Sequence, residues 1–205
     1  PFWSLVVYFS WEIFDKKIIN FYDITYLAIF AAIGFLSKYL FIYILITIFI
    51  LFFHQIKILK ERKFDFKYII GLEIFFVLLI PHFIWLFQND FITFTYAFSR
   101  AGLEQVSYLN HIKFPLIFLI KQLLIILPTI ILLYFLLKKI KINFNIKDRK
   151  FIFLLLINLL PIFLMFLTSI ITGSKIRTMW MTPFYLFFGT FSVYIFQKYI
   201  NINKL

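Results

Sequence analysis

No feature narrows the fold of this chain more than its serial apolar runs. Residues 18–36, 39–53, 68–87, 114–137, 151–172 and 183–196 hold few polar side chains, and residues 1–14 read as the end of another run. A helix needs about 20 apolar residues to cross a hydrocarbon core of about 30 Å. In lipid every backbone N–H and C=O must be bonded internally, so runs of this length are expected to be helices. The composition is 63% hydrophobic and 15% charged, where soluble domains hold about 45–50% and 25%. The expected fold is all-α, a polytopic transmembrane helical bundle of about six spans, forming a single transmembrane domain over residues 1–205.

The joins between runs sharpen that picture. A single helix over residues 18–53 would be about 54 Å long at 1.5 Å per residue, too long for one crossing, so a tight re-entry is expected at Ser37-Lys38. The loop at 54–67 carries Lys57, Lys60, Arg62, Lys63 and Lys67, and the loop at 138–150 is basic as well. Lysine and arginine collect on the cytoplasmic side of membrane proteins. Alternating the spans puts fifteen of them on one side and five on the other, with Lys121 inside a span. This distribution expects a cytoplasmic C-terminus at Leu205 and places Ser37-Lys38, residues 80–113 and residues 173–182 on the outer face. It also gives the net charge of +12 a topological cause, so no nucleic-acid partner is expected.

Residues 80–113 form the most substrate-like loop. The apolar run is expected to break at Pro81-His82 and to leave the membrane near Gln88-Asn89-Asp90. Beyond it, Phe91, Phe94, Phe98 and Ala101 share a helical spacing suited to a helix lying in the interface. The overlapping alternation Ile92, Phe94, Tyr96, Phe98 suits a strand equally, and Gly102 is expected to end the element either way.

The candidate site residues are the outer-side cations. Lys38 sits at a turn between apolar runs, where it either holds an anionic group through charge-assisted hydrogen bonds or extends to lipid headgroups. Arg100 offers a planar fork for a phosphate. Lys175 and Arg177 share the second outer turn with Trp180, which also fits an interfacial aromatic belt. Lys121, seven residues into its run, is within snorkelling reach of the outer surface, and Gln122 points to a different face. Glu73, five residues from the cytoplasmic end of its run, either reaches the interface or pairs with Lys67. Cysteine is absent, and His54, His82 and His111 lack ligand spacing, so no metal or cofactor is expected. Asp90 and Glu104, the outer-side acids, are too far apart in sequence to read as an acid–base pair.

The order of these features resembles glycosyltransferase family 39, the dolichyl-phosphate-mannose protein mannosyltransferase-like group. Gly34-Phe35-Leu36-Ser37-Lys38-Tyr39 resembles its Gly…Leu-Ser-Lys-Tyr stretch. Pro81, Trp85, Asn89, Phe94 and Arg100 resemble its exit into an outer loop; Gln122 with Pro128, and Pro161 with Trp180, Pro183 and Tyr185, resemble its later spans. The resemblance implies a GT-C-like membrane glycosyltransferase. Such an enzyme moves a sugar from a polyprenyl-phosphate donor to a lipid, glycan or protein acceptor on the extracytoplasmic face of the inner or plasma membrane. It implies substrate binding by Lys38, Arg100, Lys175, Arg177 and Trp180. The family's catalytic Asp, in the outer loop after the first span, has no counterpart after Pro1, so the chain is expected to be the C-terminal part of a longer enzyme. Met179 stands where relatives often carry Asn. The alternatives are a transporter or lipid flippase using Glu73 and Lys121 as pathway charges, or a non-catalytic membrane subunit.

Overall fold

A computed structural model describes residues 1–16, 18–58, 63–103, 107–137, 148–197 and 199. Most of the basic loop at 138–150 and the end of the tail lie outside these residues, as do Lys60, Arg62 and Glu104. The chain is all-α, with no strand among the described residues. It divides into two compact units, Pro1–Ala97 and Phe98–Leu205, each described by itself.

The first unit contains α1 (Phe2–Asp15), α2 (Phe21–Ser37), α3 (Ile42–Phe53) and α4 (Lys67–Gln88). Asn20 caps α2 by accepting a hydrogen bond from the Tyr22 N–H at 3.2 Å. The cap starts this helix three residues later than the apolar run does and leaves it 17 residues long. α2 packs on both α1 and α4, and its buried residues include Ala28, Ala31, Ala32 and Gly34. Small side chains let helix backbones approach closely. Gly71 of α4 shows how closely, since a Cβ there would stand 2.6 Å from Ile24 Cγ2. α3 extends through a 3-10 turn, Tyr39–Phe41, at its start and a π-helical turn, His54–Ile58, at its end. Its buried Gln55 donates Nε2 to the Phe14 carbonyl at 2.9 Å. At the same end of the unit Lys16 pairs with Glu12 at 2.5 Å and with Asp23 at 2.9 Å. These two carboxylates hold its ammonium above the ordinary lysine range.

α4 runs unbroken to Gln88, so the expected break at Pro81-His82 does not occur. Membrane helices tolerate an internal proline because neighbouring groups satisfy the freed carbonyl, and Pro115, Pro128 and Pro161 also lie inside helices. The expected Lys67–Glu73 pair is absent as well. Lys67 Nζ donates to the Ile19 carbonyl at 2.8 Å and lies 3.7 Å from Asp65, while Glu73 is exposed on α4.

α5 (Ile92–Arg100) is helical, which resolves the helix–strand ambiguity, and the division between the units falls within it. The second unit continues with α6 (Asn110–Leu136), α7 (Arg149–Thr172) and α8 (Phe188–Phe196). α6 and α7 run antiparallel: His111 Nδ1 meets the Ile170 carbonyl at 2.7 Å, and Phe118 stacks near Phe166 at 6.5 Å. Asp148 caps α7, accepting from the backbone N–H of Lys150 and of Phe151, and also takes the Tyr194 hydroxyl hydrogen of α8. Gly173 ends α7 at φ 64°, the left-handed conformation that glycine adopts without a Cβ clash. The buried Gln122 amide of α6 accepts a hydrogen bond from the Tyr185 hydroxyl.

Among the described residues, four helical stretches are long and apolar enough to cross a membrane: Tyr39–Lys57, Lys67–Gln88, Asn110–Leu136 and Arg149–Thr172. The 3-10 stretch Thr178–Tyr185 and α8, bent by 46° from one another, make a fifth if counted as one span. The last apolar run, expected as one span over 183–196, is thus divided between this 3-10 stretch and α8. The protein has the architecture of a multi-pass membrane protein.

Candidate functional site

Two clusters of polar side chains, one in each unit, involve the candidate residues. In the first unit the chain reverses at Lys38, the C-cap of α2. The Lys38 N–H still bonds the Gly34 carbonyl at 3.2 Å, the Ser37 hydroxyl donates to the same carbonyl at 2.7 Å, and the Lys38 carbonyl accepts from Phe41 N at 2.9 Å. A helical last turn thus leads directly into a 3-10 turn, which is how Ser37-Lys38 makes a tight re-entry. The Lys38 side chain is exposed, yet surrounding chain withholds enough water to hold its ammonium below the ordinary lysine value.

The next residue carries most of the geometry. The Tyr39 hydroxyl lies 2.8 Å from His82 Nε2 and 2.9 Å from Thr93 Oγ1. Its ring stacks on Phe94 at 5.1 Å and 14°, and the His82 ring stacks on Trp85 at 5.9 Å and 14°. Trp85 is exposed, while Tyr39, His82, Thr93 and Phe94 are half-buried. Between α4 and α5, Asp90 at φ 47° and Phe91 at φ 53° both occupy left-handed backbone. For a residue with a Cβ this conformation costs about 1–2 kcal/mol. Here it bends the chain sharply enough to bring Thr93 and Phe94 to Tyr39. Two successive strained residues of this kind are characteristic of functional loops.

In the second unit Arg100, Lys175 and Arg177 are brought near one another through the backbone. Lys175 N–H donates to the Ala101 carbonyl at 2.9 Å, and Arg177 Nε donates to the Arg100 carbonyl at 3.4 Å. The segment ending α5 and the segment after α7 are thereby joined, with Arg100, Lys175 and Arg177 at one end of the unit. Arg100 and Lys175 are exposed; Arg177 and Trp180 are half-buried. His111 Nδ1 must donate to the Ile170 carbonyl, so its neutral form carries the Nε2 lone pair.

Of the five candidates, Arg100, Lys175 and Arg177 come together, and Trp180 follows them in the 3-10 stretch Thr178–Tyr185. Lys38 belongs to the first unit. Lys121 is half-buried and Gln122 buried, which places them on different faces of α6 as expected. His82 and Thr93 escaped the sequence reading, because a tyrosine 43 residues before the histidine and 54 before the threonine leaves no local signature. The one hint is position, His82 following Pro81 toward the C-terminal end of an apolar run. Comparison with family models, curated proteins and solved structures gives no match.

Proposed function

We propose that the protein is a membrane glycosyltransferase that uses a polyprenyl-phosphate-linked sugar donor. It would sit in the inner or plasma membrane with its C-terminus cytoplasmic, and transfer to a lipid, glycan or protein on the extracytoplasmic face. The supporting observation is the convergence of Arg100, Lys175 and Arg177 in the second unit, joined by the two hydrogen bonds to the Arg100 and Ala101 carbonyls. A phosphodiester at the membrane surface suits such a cluster. An arginine fork and an ammonium donate charge-assisted hydrogen bonds, about twice as strong as neutral ones. When the carrier phosphate departs, negative charge grows on its oxygens, and fixed positive groups stabilise that change most where water is scarce. Lys38, depressed in basicity at its turn, is the first unit's candidate for the same role, and the Gly34–Tyr39 segment around it carries part of the family resemblance.

The test is direct. The protein in nanodiscs is titrated with undecaprenyl phosphate, with diacylglycerol as the uncharged comparison. Selective binding of the phosphate is expected, weakened about 10- to 100-fold in Lys175→Gln/Arg177→Gln, which is about 1.4 kcal/mol per tenfold step. Equal binding of both lipids, or full affinity in the double variant, refutes the reading.

A further inference from the structure

The last carbonyls of a helix have no donor within it. One such carbonyl of α7, Ile170, is met by His111 Nδ1 from the first turn of α6 at 2.7 Å. A carbonyl only accepts, so Nδ1 carries the hydrogen, and in the neutral ring Nε2 is then a bare acceptor. Its lone pair diverges widely from the Nδ1–H bond and faces away from the Ile170 carbonyl. Among the described residues nothing donates to it. Capping Ile170 needs one donor, which an asparagine would supply equally well, so the second nitrogen is left for something else.

This acceptor lies at the end of the second unit that also holds the cations. The His111 ring rests on the last turn of α7, and the chain leaving that turn runs directly to Lys175 and Arg177. Their hydrogen bonds to the Ala101 and Arg100 carbonyls bring in Arg100. The side chains of Arg100, Lys175 and Arg177 present only donors. Donors suit the oxygens of a phosphate, whereas a glycosyl phosphate also carries hydroxyls that need an acceptor. We propose that His111 Nε2 accepts a hydrogen bond from a sugar hydroxyl beside the phosphate. This end of the unit then binds a glycosyl phosphodiester in preference to one without a sugar. The inference rests on the glycosyltransferase reading and names the substrate feature that the cations alone do not recognise. The hydroxyl keeps its proton throughout, so His111 is a binding residue and takes no part in bond making or breaking.

The surroundings suit the role. His111 is half-buried, which limits the competition of water for Nε2. One edge of its ring is pinned to α7 by the 2.7 Å bond. About two turns further along α6, Phe118 stacks near Phe166 of α7 at 6.5 Å and holds the two helices in register. An acceptor fixed in this way loses little freedom when a ligand arrives. Every group invoked lies within Phe98–Leu205, so the second unit supplies the whole arrangement.

The test compares lipids of equal charge, titrated into the protein in nanodiscs at pH 8. They are undecaprenyl-phosphate mannose, its glucose counterpart, and undecaprenyl methyl phosphate, a diester without a hydroxyl. Wild type should bind at least one sugar lipid more tightly than the methyl diester. Two variants separate binding from capping. Asparagine places an amide N–H near the Nδ1 position and nothing at Nε2, whereas glutamine reaches the Nε2 position with a carbonyl oxygen. His111→Asn should therefore unfold like wild type while its sugar preference falls about 2- to 10-fold, the range of one net hydrogen bond. His111→Gln should keep most of the preference although it gives up the cap. A preference kept in His111→Asn, or lost only in His111→Gln together with stability, makes His111 a cap alone and overturns the proposal. In wild type, ¹⁵N histidine NMR at the same pH should show the Nδ1–H tautomer of His111. An Nε2–H or doubly protonated ring overturns the proposal, and this measurement decides even if a variant fails to fold. A wild type that binds the three diesters equally, and all of them better than diacylglycerol, overturns the sugar contact while the phosphate site stands. One that prefers none of them to diacylglycerol overturns both.

Discussion

Replacing Gly34 by alanine probes the packing that sets the Lys38 turn. A Cβ at this position would stand within 2.7 Å of three atoms of the Phe41 ring, and carbon atoms rest at about 3.5–4.0 Å. The ring must therefore retreat by about 1 Å. It has little room, being 4% exposed and meeting Trp3 edge-on at 5.3 Å. Such overpacking costs about 1–3 kcal/mol, while alanine in place of glycine inside a helix recovers about 1 kcal/mol. Gly34→Ala should thus lose about 0–2 kcal/mol. Phe41→Ala alone should lose about 3–5 kcal/mol through the cavity it leaves. The double variant should fall short of the summed losses by about 1–3 kcal/mol, the overpacking cost, because the new methyl then has space. Unfolding in mixed micelles, followed by tryptophan fluorescence, measures all three. Gly189→Ala is the control: no atom lies within 4 Å of its would-be Cβ, and its stability should not fall. Strictly additive losses in the double variant would refute the packing argument.

Other expectations follow from single contacts. Tyr185→Phe leaves the buried Gln122 Oε1 without its donor and should destabilise by about 0.6–1.7 kcal/mol in the same unfolding assay, the range for hydrogen bonds between membrane helices. The Tyr194 hydroxyl, and after it the backbone N–H groups of Phe151 and Lys150, hold the Asp148 carboxyl below the usual carboxylate range. Its stabilisation is therefore complete above the ordinary carboxyl pKa of about 3.9 and is lost as pH falls through the lower folded value. Asp148→Ala should cost about 0.5–2 kcal/mol at neutral pH as a lost cap and should flatten that acid limb. The absence of cysteine makes topology easy to read. A membrane-impermeant maleimide added to intact cells should label Lys175→Cys and leave Asp15→Cys unlabelled; the reverse pattern would invert the charge-based orientation.

What could be read in advance follows the range of each interaction. The apolar runs and the turn at Ser37-Lys38 are set by neighbours within a few residues, and both are found, whereas after Phe91 the local pattern leaves helix and strand open and the chain is helical. Pro81 stays inside α4, because an apolar helix tolerates an internal proline where neighbouring groups satisfy the freed carbonyl. The last run is less legible, since nothing local in 178–196 announces a 3-10 stretch followed by a 46° bend. The cations Arg100, Lys175 and Arg177 were picked one at a time, but their meeting depends on how the chain returns after α7. Tyr39, His82 and Thr93 needed three separate elements to converge, and their chemistry is invisible until they do.

The link between Lys175 and Ala101 is made by the backbone at both ends. Side-chain replacement at either position leaves its donor and acceptor in place, so an alanine scan would pass over it and report only the lysine's charge. The register between the two segments can thus persist while their sequences drift, with the identity of the cation free to vary. Lys175→Pro, which removes the N–H itself, is the substitution that separates the scaffold from the chemistry it carries.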